Sequence, residues 1–217
     1  MSKFNEKSRA AYNKKADDYD NTNDGRFTLK FKRLLVDCIA VGGAPLRVTP
    51  NILDVACGNG TLLAMLDGKT PINGFGIDIS DQMIKNAAAR NPKMEFHAAG
   101  CEAMPFGDGT MDIITVCAAY HHFPDVDTFA QEAGRVLKAG GKIYIAEIYL
   151  PAIVRLIINP FVPLSKAGDV KFYSPKEIIG NLSRHGFGWA DVTIQGSIQL
   201  VSMQKMRENT ACLNGER

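Results

Sequence analysis

Asp54-Val55-Ala56-Cys57-Gly58-Asn59-Gly60-Thr61 joins a short apolar run, Asn51–Val55, to a helix-forming stretch, Thr61–Leu66. A strand, a glycine turn and a helix in that order decide the fold. Gly58 and Gly60 carry no Cβ, so the chain can turn tightly and a ligand can approach its backbone. The helix start behind them offers amide N–H groups that have no helical partner. Glycine serves many strand-to-helix turns, so the motif needs support from its neighbours.

The neighbours repeat the rhythm. Gly74–Ile77, Met94–Ala98, Met111–Cys117 and Lys142–Ile148 read as strands, with helical stretches at Asp81–Arg90 and Thr128–Leu137. This alternation calls for right-handed crossovers and a parallel sheet covered on both faces. A helix from Ser174-Pro175 to about His185 leads to Ala190–Gln195 and Ile198–Lys205, which meet at Gly196-Ser197 as a hairpin. The expected fold is α/β, with a seven-stranded, mostly parallel sheet that ends in an antiparallel hairpin. Upstream, Ser2–Lys15 and Arg26–Ala40 read as helices around an Asp- and Asn-rich loop, before a break at Gly42, Gly43, Pro45 and Pro50. Lys30, Lys32 and Arg33 are expected on the wet side of the second helix.

The second strand ends Gly76-Ile77-Asp78-Ile79-Ser80, which sets a carboxylate at a strand tip, where it can accept both hydroxyls of a ribose. Its bland role is to cap the next helix, but Ser80 and Asp81 are already placed for that.

Composition narrows the partners. With 25 Lys+Arg against 23 Asp+Glu the net charge is +2, which gives no electrostatic reason to expect nucleic acid. The five cysteines are scattered, without CxxC spacing or paired histidines at a finger interval, so neither a disulfide frame nor a metal site is expected. They suit a reducing, cytoplasmic compartment. Met1–Ala10 is polar and shows no signal peptide. The most apolar stretch, Ile143–Leu164, is broken by Glu147, Arg155, Asn159 and three prolines, which argues against a membrane span.

From about residue 10 to 148 the chain resembles class I S-adenosylmethionine-dependent methyltransferases of the ubiquinone/menaquinone-biosynthesis-like group. The resemblance rests on Y-N-K-K-A-D-D-Y-D, D-V-A-C-G-N-G, G-F-G-I-D-I-S-D-Q-M-I, E-A-M-P-F-G-D-G-T-M-D, H-H-F-P and R-V-L-K-A-G-G-K. It implies a Rossmann-like domain over 46–206, a helical N-terminal cap over the cofactor site at 1–45, a substrate lid at 148–173 and a polar tail at 207–217. It also implies that Ala56, Cys57, Gly58 and Gly60 hold the methionine part of the cofactor, with Asp54 beneath the loop. Asp78 would bind the ribose, Ile79 and Met83 would pack near the adenine, and Cys101 and Glu102 would form the adenine-side loop. Ala118 and Ala119 would face the sulfonium, and Tyr12 and Tyr19 would fold over the cofactor. One position departs from the group: Gly100 stands where an Asp commonly binds the adenine amino group.

Methyl transfer from a sulfonium chiefly needs an aligned nucleophile and a dry site. Tyr120, His121 and His122 follow the fourth strand, where the methyl group should point. A histidine there can act as a base, or it can support the fold from beneath the loop. Ile148–Leu164 suits a hydrophobic lid over an apolar or aromatic small molecule, a homodimer contact or a core helix. Arg155 could meet a substrate anion, and Lys171, Phe172 and Tyr173 could line the same region. A nicotinamide-dependent oxidoreductase would want a third glycine where Leu63 stands, and a cofactor-binding protein without turnover is the other rival.

Overall fold

The computed structural model describes residues 2–41 and 49–207. The predicted break at Gly42, Gly43 and Pro45, the 45/46 boundary and all of the tail beyond Arg207 lie outside the described residues.

Helix α1 (Lys3–Lys15) is capped by Ser2 and passes into a 3-10 turn, Ala16–Asn21, where the sequence suggests a loop. Helix α2 (Asn23–Val41) begins three residues earlier than expected because Gly25 continues the helix. A Cβ there would lie 2.1 Å from the Tyr19 carbonyl oxygen, so the glycine permits close packing.

The α/β part runs β1 (Asn51–Val55), α3 (Thr61–Asp67), β2 (Asn73–Asp78), α4 (Asp81–Arg90), β3 (Glu95–Ala98), β4 (Met111–Cys117), α5 (Val126–Val136), β5 (Leu137–Ile148), α6 (Ala152–Ile158), α7 (Pro175–Ser183), β6 (Phe187–Gln195) and β7 (Ile198–Lys205). One seven-stranded sheet has the order β3-β2-β1-β4-β5-β7-β6. Strands β1 to β5 pair in parallel, while β7 inserts antiparallel between β5 and β6. The expected Rossmann-like sheet and terminal hairpin are therefore present. Strand β5 starts at Leu137, ahead of the expected Lys142: Met111 pairs with Leu137, the register shifts, and pairing resumes at Ile113 with Lys142. Gly140, at φ +82°, lies in that irregular stretch, and its glycine pair masks the strand in sequence.

Alternate residues of the central strands feed two cores. Leu53, Val55, Ile143 and Ile145 pack with α5 and α7; Ile52, Tyr144 and Ala146 pack with α2 and α3. From β1 the chain crosses to β2 on one side, and β4 pairs on the other. Such a switch point opens a crevice beyond the strands' carboxyl ends.

Two expectations need correction. Lys32 is only 9% exposed, against the wet side expected for it. It stands one helical turn from Thr28 and Val36, on the inward stripe with Phe31 and Leu35. In the 148–173 segment, α6 turns Ile153, Leu156 and Ile157 outward, so the helix is no core helix. Among the described residues no helix is long and apolar enough to cross a membrane, and the four described cysteines are free.

Candidate functional site

A cavity opens at the carboxyl ends of β1, β2 and β4, and α1 and its 3-10 turn form its opposite wall. Ala56, Cys57 and Gly58 line it, with Asp54 beneath them. Ala56 and Gly58 hold positive φ, 61° and 54°, and Ala118 past β4 does so at 49°. Left-handed alanines cost of order 1–3 kcal/mol and cluster at ligand sites. Gly60 does not line the cavity. At φ +74° a Cβ on it would meet Asn91 Nδ2 at 2.7 Å and Phe96 Cζ at 3.2 Å, so it serves close packing against α4 and β3.

Asp78 ties the loop to β2. Its Oδ2 accepts from the Gly58 amide at 2.9 Å and its Oδ1 from the Ser80 amide at 2.8 Å. Ser80 is the helix cap, accepting from the Met83 amide at 3.2 Å, so Asp78 is free of that task. Burial raises the Asp78 carboxyl against its backbone donors. Burial also pushes Asp54 up to about 7, although Thr115 Oγ1 donates to its Oδ1 at 2.8 Å.

Ile79, Met83, Cys101, Glu102, Ala118 and Ala119 all line the cavity. At the departing position, a Cβ on Gly100 would lie 2.8 Å from Glu102 Oε2, so the Glu102 carboxylate occupies the space beside it. Tyr12 and Tyr19 close the far wall edge-to-face, with centroids 5.9 Å apart. Sequence reasoning passed over Asn59, whose Nδ2 donates to Ala16 O at 2.9 Å and to Asp20 Oδ2 at 3.1 Å, binding the glycine turn to the N-terminal segment. An amide between two glycines was the available signal.

The three predicted catalytic residues separate. Tyr120 is fully buried against Phe123, Phe129 and Tyr173, and its hydroxyl accepts from Asn181 Nδ2 at 3.2 Å; it does not reach the cavity. His122 lines the cavity, and its Nε2 meets the Tyr12 hydroxyl at 2.9 Å. His121 lies behind it, held by Glu147: the His121 amide donates to Oε2 at 3.1 Å, and ring Nδ1 lies 2.9 Å from both carboxylate oxygens. Burial opposes charge on His121, but Glu147 outweighs it and raises the pKa; burial and then His121 itself lower that of His122. Asp169 completes the group, its Oδ1 lying 2.9 Å from His122 Nδ1 and 3.7 Å from His121 Nε2. Sequence reasoning missed Glu147 and Asp169 as site residues. A lone carboxylate within the apolar run of β5 was the signal for the first.

The 148–173 segment divides. None of its residues lines the cavity, and Arg155 Nη1 donates to Leu150 O at 3.0 Å. Its return limb packs on the site instead: Ser8 Oγ donates to Ala167 O at 2.9 Å, the Val170 amide to His121 O at 2.7 Å, and Phe172 stacks on the His121 ring. Lys171 Nζ pairs with Glu177, and Tyr173 packs on Tyr120.

Residues 53–145, which hold the glycine turn, Asp78 and the histidine pair, match the family described as a methyltransferase domain. Over that stretch the chain is similar to methyltransferase domains. It is 36% identical over 102 residues to a demethylmenaquinone methyltransferase of Chlorobaculum parvum, covering 47% of this chain and 42% of that one. It is 32% identical over 160 residues to the ubiquinone/menaquinone biosynthesis C-methyltransferase UbiE of Escherichia coli O1:K1 / APEC, covering 70% and 59%. The chain thus spans about half the length of the curated relatives it matches. The chain also superposes on the YcgJ protein of Bacillus subtilis with a TM-score of 0.68 at 18% identity, covering 81% of this chain and 100% of that one, which establishes likeness of fold.

Proposed function

We propose that this protein is an S-adenosylmethionine-dependent methyltransferase acting on a small-molecule metabolite. The observation that carries this reading is the Asp78 carboxylate beside the left-handed Ala56–Gly58 turn, at the rim of a cavity between the sheet and Tyr12 and Tyr19. The cofactor supplies an electrophilic methyl group. Ala56, Cys57 and Gly58 hold its methionine end over Asp54, and Asp78 accepts the ribose hydroxyls through lone pairs its backbone donors leave free. Ile79, Met83 and Cys101 flank the adenine, with Glu102 filling the role of the acid absent at Gly100. Ala118 and Ala119 leave room at the reacting end, where His122 and Phe123 meet the acceptor.

Quinone-type acceptors fit the curated relatives, and an apolar or aromatic acceptor fits the end of the cavity lined by Ala119 and Phe123. The same reading takes residues 2–41 as the cofactor cap and the return limb as the substrate cover. It includes a cytoplasmic setting, from scattered free cysteines, and no nucleic-acid partner, from the small net charge. A homodimer through the apolar 148–164 stretch is tested by sedimentation velocity.

Calorimetric titration with S-adenosylmethionine, S-adenosylhomocysteine and NAD tests the cofactor. Binding of the adenosyl pair alone is expected; binding of NAD, or of none, overturns the reading. Turnover in a screen of quinone and phenol acceptors separates an enzyme from a protein that only binds cofactor.

A further inference from the structure

Three potential metal ligands converge beside the cavity: His121, His122 and Asp169 each offer one donor atom, all within 4.8 Å of one another. The histidines are adjacent, but Asp169 comes from 47 residues further along, so no spacing in the sequence announces the trio. Each ring has its remote nitrogen engaged. Glu147 accepts from His121 Nδ1 at 2.9 Å, and Tyr12 OH meets His122 Nε2 at 2.9 Å. Partners of this kind fix the tautomer and aim the other nitrogen, as they do around metal-bound histidines.

The contact between His122 Nδ1 and Asp169 Oδ1 is also informative. It measures 2.9 Å, yet the nitrogen is buried and no hydrogen bond of acceptable geometry reaches it. A cation held by both atoms would satisfy them. A cation about 2.1 Å from each donor would subtend about 90° at the 2.9 Å pair and about 120° at the 3.7 Å pair. Both angles lie within ordinary coordination geometry.

We propose that His121, His122 and Asp169 form a binding site for a divalent first-row transition ion, with Glu147 orienting His121 from behind. Two imidazoles and one carboxylate suit such an ion better than calcium or magnesium, which prefer all-oxygen sites. Three protein donors leave coordination positions open, and His122 is shared with the cavity wall, so the ion would border the cavity. The class of acceptor this favours bears an oxygen, such as a phenol or enol. That last step rests on the methyltransferase reading; the ion site does not.

Cobalt(II) is the probe, titrated alone into chelator-treated protein and followed by visible absorption and calorimetry. One equivalent should bind, with d–d bands. Asp169→Asn, an isosteric change at a partly exposed position, should weaken binding at least tenfold, and Glu147→Gln by about 10–100-fold. His97→Ala, at an exposed histidine paired only with Glu95, should leave binding unchanged. No saturable uptake, or uptake equal in wild type and a folded Asp169→Asn, overturns the site. A parallel titration with S-adenosylmethionine separates the two ideas: cofactor binding without metal uptake sinks the ion site alone, and uptake without cofactor binding upholds it while sinking the methyltransferase reading.

Discussion

Glu147, wholly buried on β5, holds His121 by backbone and ring together, accepting from the amide at 3.1 Å and from Nδ1 at 2.9 Å. The contact joins β5 to the 3-10 turn after β4 and fixes the wall of the cavity. Removing one member of a buried charged pair strands the other, a loss of about 3–5 kcal/mol. Glu147→Ala should therefore lower unfolding free energy by that order in urea titration, and Glu147→Gln by less, since the amide oxygen still accepts. A loss below about 1 kcal/mol for the alanine would show that the pair does not brace the turn.

Asp78 should dominate cofactor affinity. A hydrogen bond to a charged acceptor contributes about 1.5–3 kcal/mol, so Asp78→Ala should weaken S-adenosylmethionine binding by about ten- to a hundredfold. Circular dichroism must show a folded protein, because Asp78 also receives the Gly58 and Ser80 amides. Unchanged affinity in a folded variant removes the ribose assignment.

Asp54 predicts a pH dependence. Burial pushes its carboxyl up to about 7, so it is mostly protonated at pH 6 and mostly ionised at pH 8. A cationic ligand above it favours the ionised form. Affinity for S-adenosylmethionine should therefore rise from pH 6 to pH 8, by up to about tenfold for a carboxyl centred between them. A flat profile by calorimetry takes Asp54 out of the binding site.

Gly25 tests the N-terminal strap. Any side chain there drives a Cβ to 2.1 Å from Tyr19 O and 2.8 Å from Asp20 Cα, and backbone cannot swing aside. Gly25→Ala should displace the turn that carries Tyr19 and Asp20, weakening cofactor binding several-fold and increasing proteolysis of residues 2–24. Helix propensity alone would make the alanine stabilising by about 1 kcal/mol, so an unaltered or tighter site would refute the packing argument.

Glu102 fills the space beside Gly100, where the sequence resemblance implies an acid. Glu102→Ala should weaken binding about tenfold or more, the range of a hydrogen bond to a charged acceptor, and adenine-modified analogues lacking the amino group should not distinguish variant from wild type. If Glu102→Ala binds as well as the parent, a backbone carbonyl serves the adenine.

Local sequence sufficed for the sheet and for most of the cavity wall, because those features are written in neighbouring residues. Strand periodicity, the Gly58-Asn59-Gly60 turn and Asp78 at a strand tip are written in consecutive residues, and backbone sterics turn them into geometry without help. Tertiary structure alone decided what stands around His121 and His122. Glu147 reads in sequence as a flaw in an apolar strand, and Asp169 as an undistinguished loop residue. Gly60 and Tyr120 lie inside the right motifs, yet packing turns both away from the cavity. Lys32 reads as a solvated charge until the packing of α2 against β4 and β5 buries it. In each case the deciding contact bridges elements distant along the chain, and no local pattern encodes which of several polar residues chain closure will bring together.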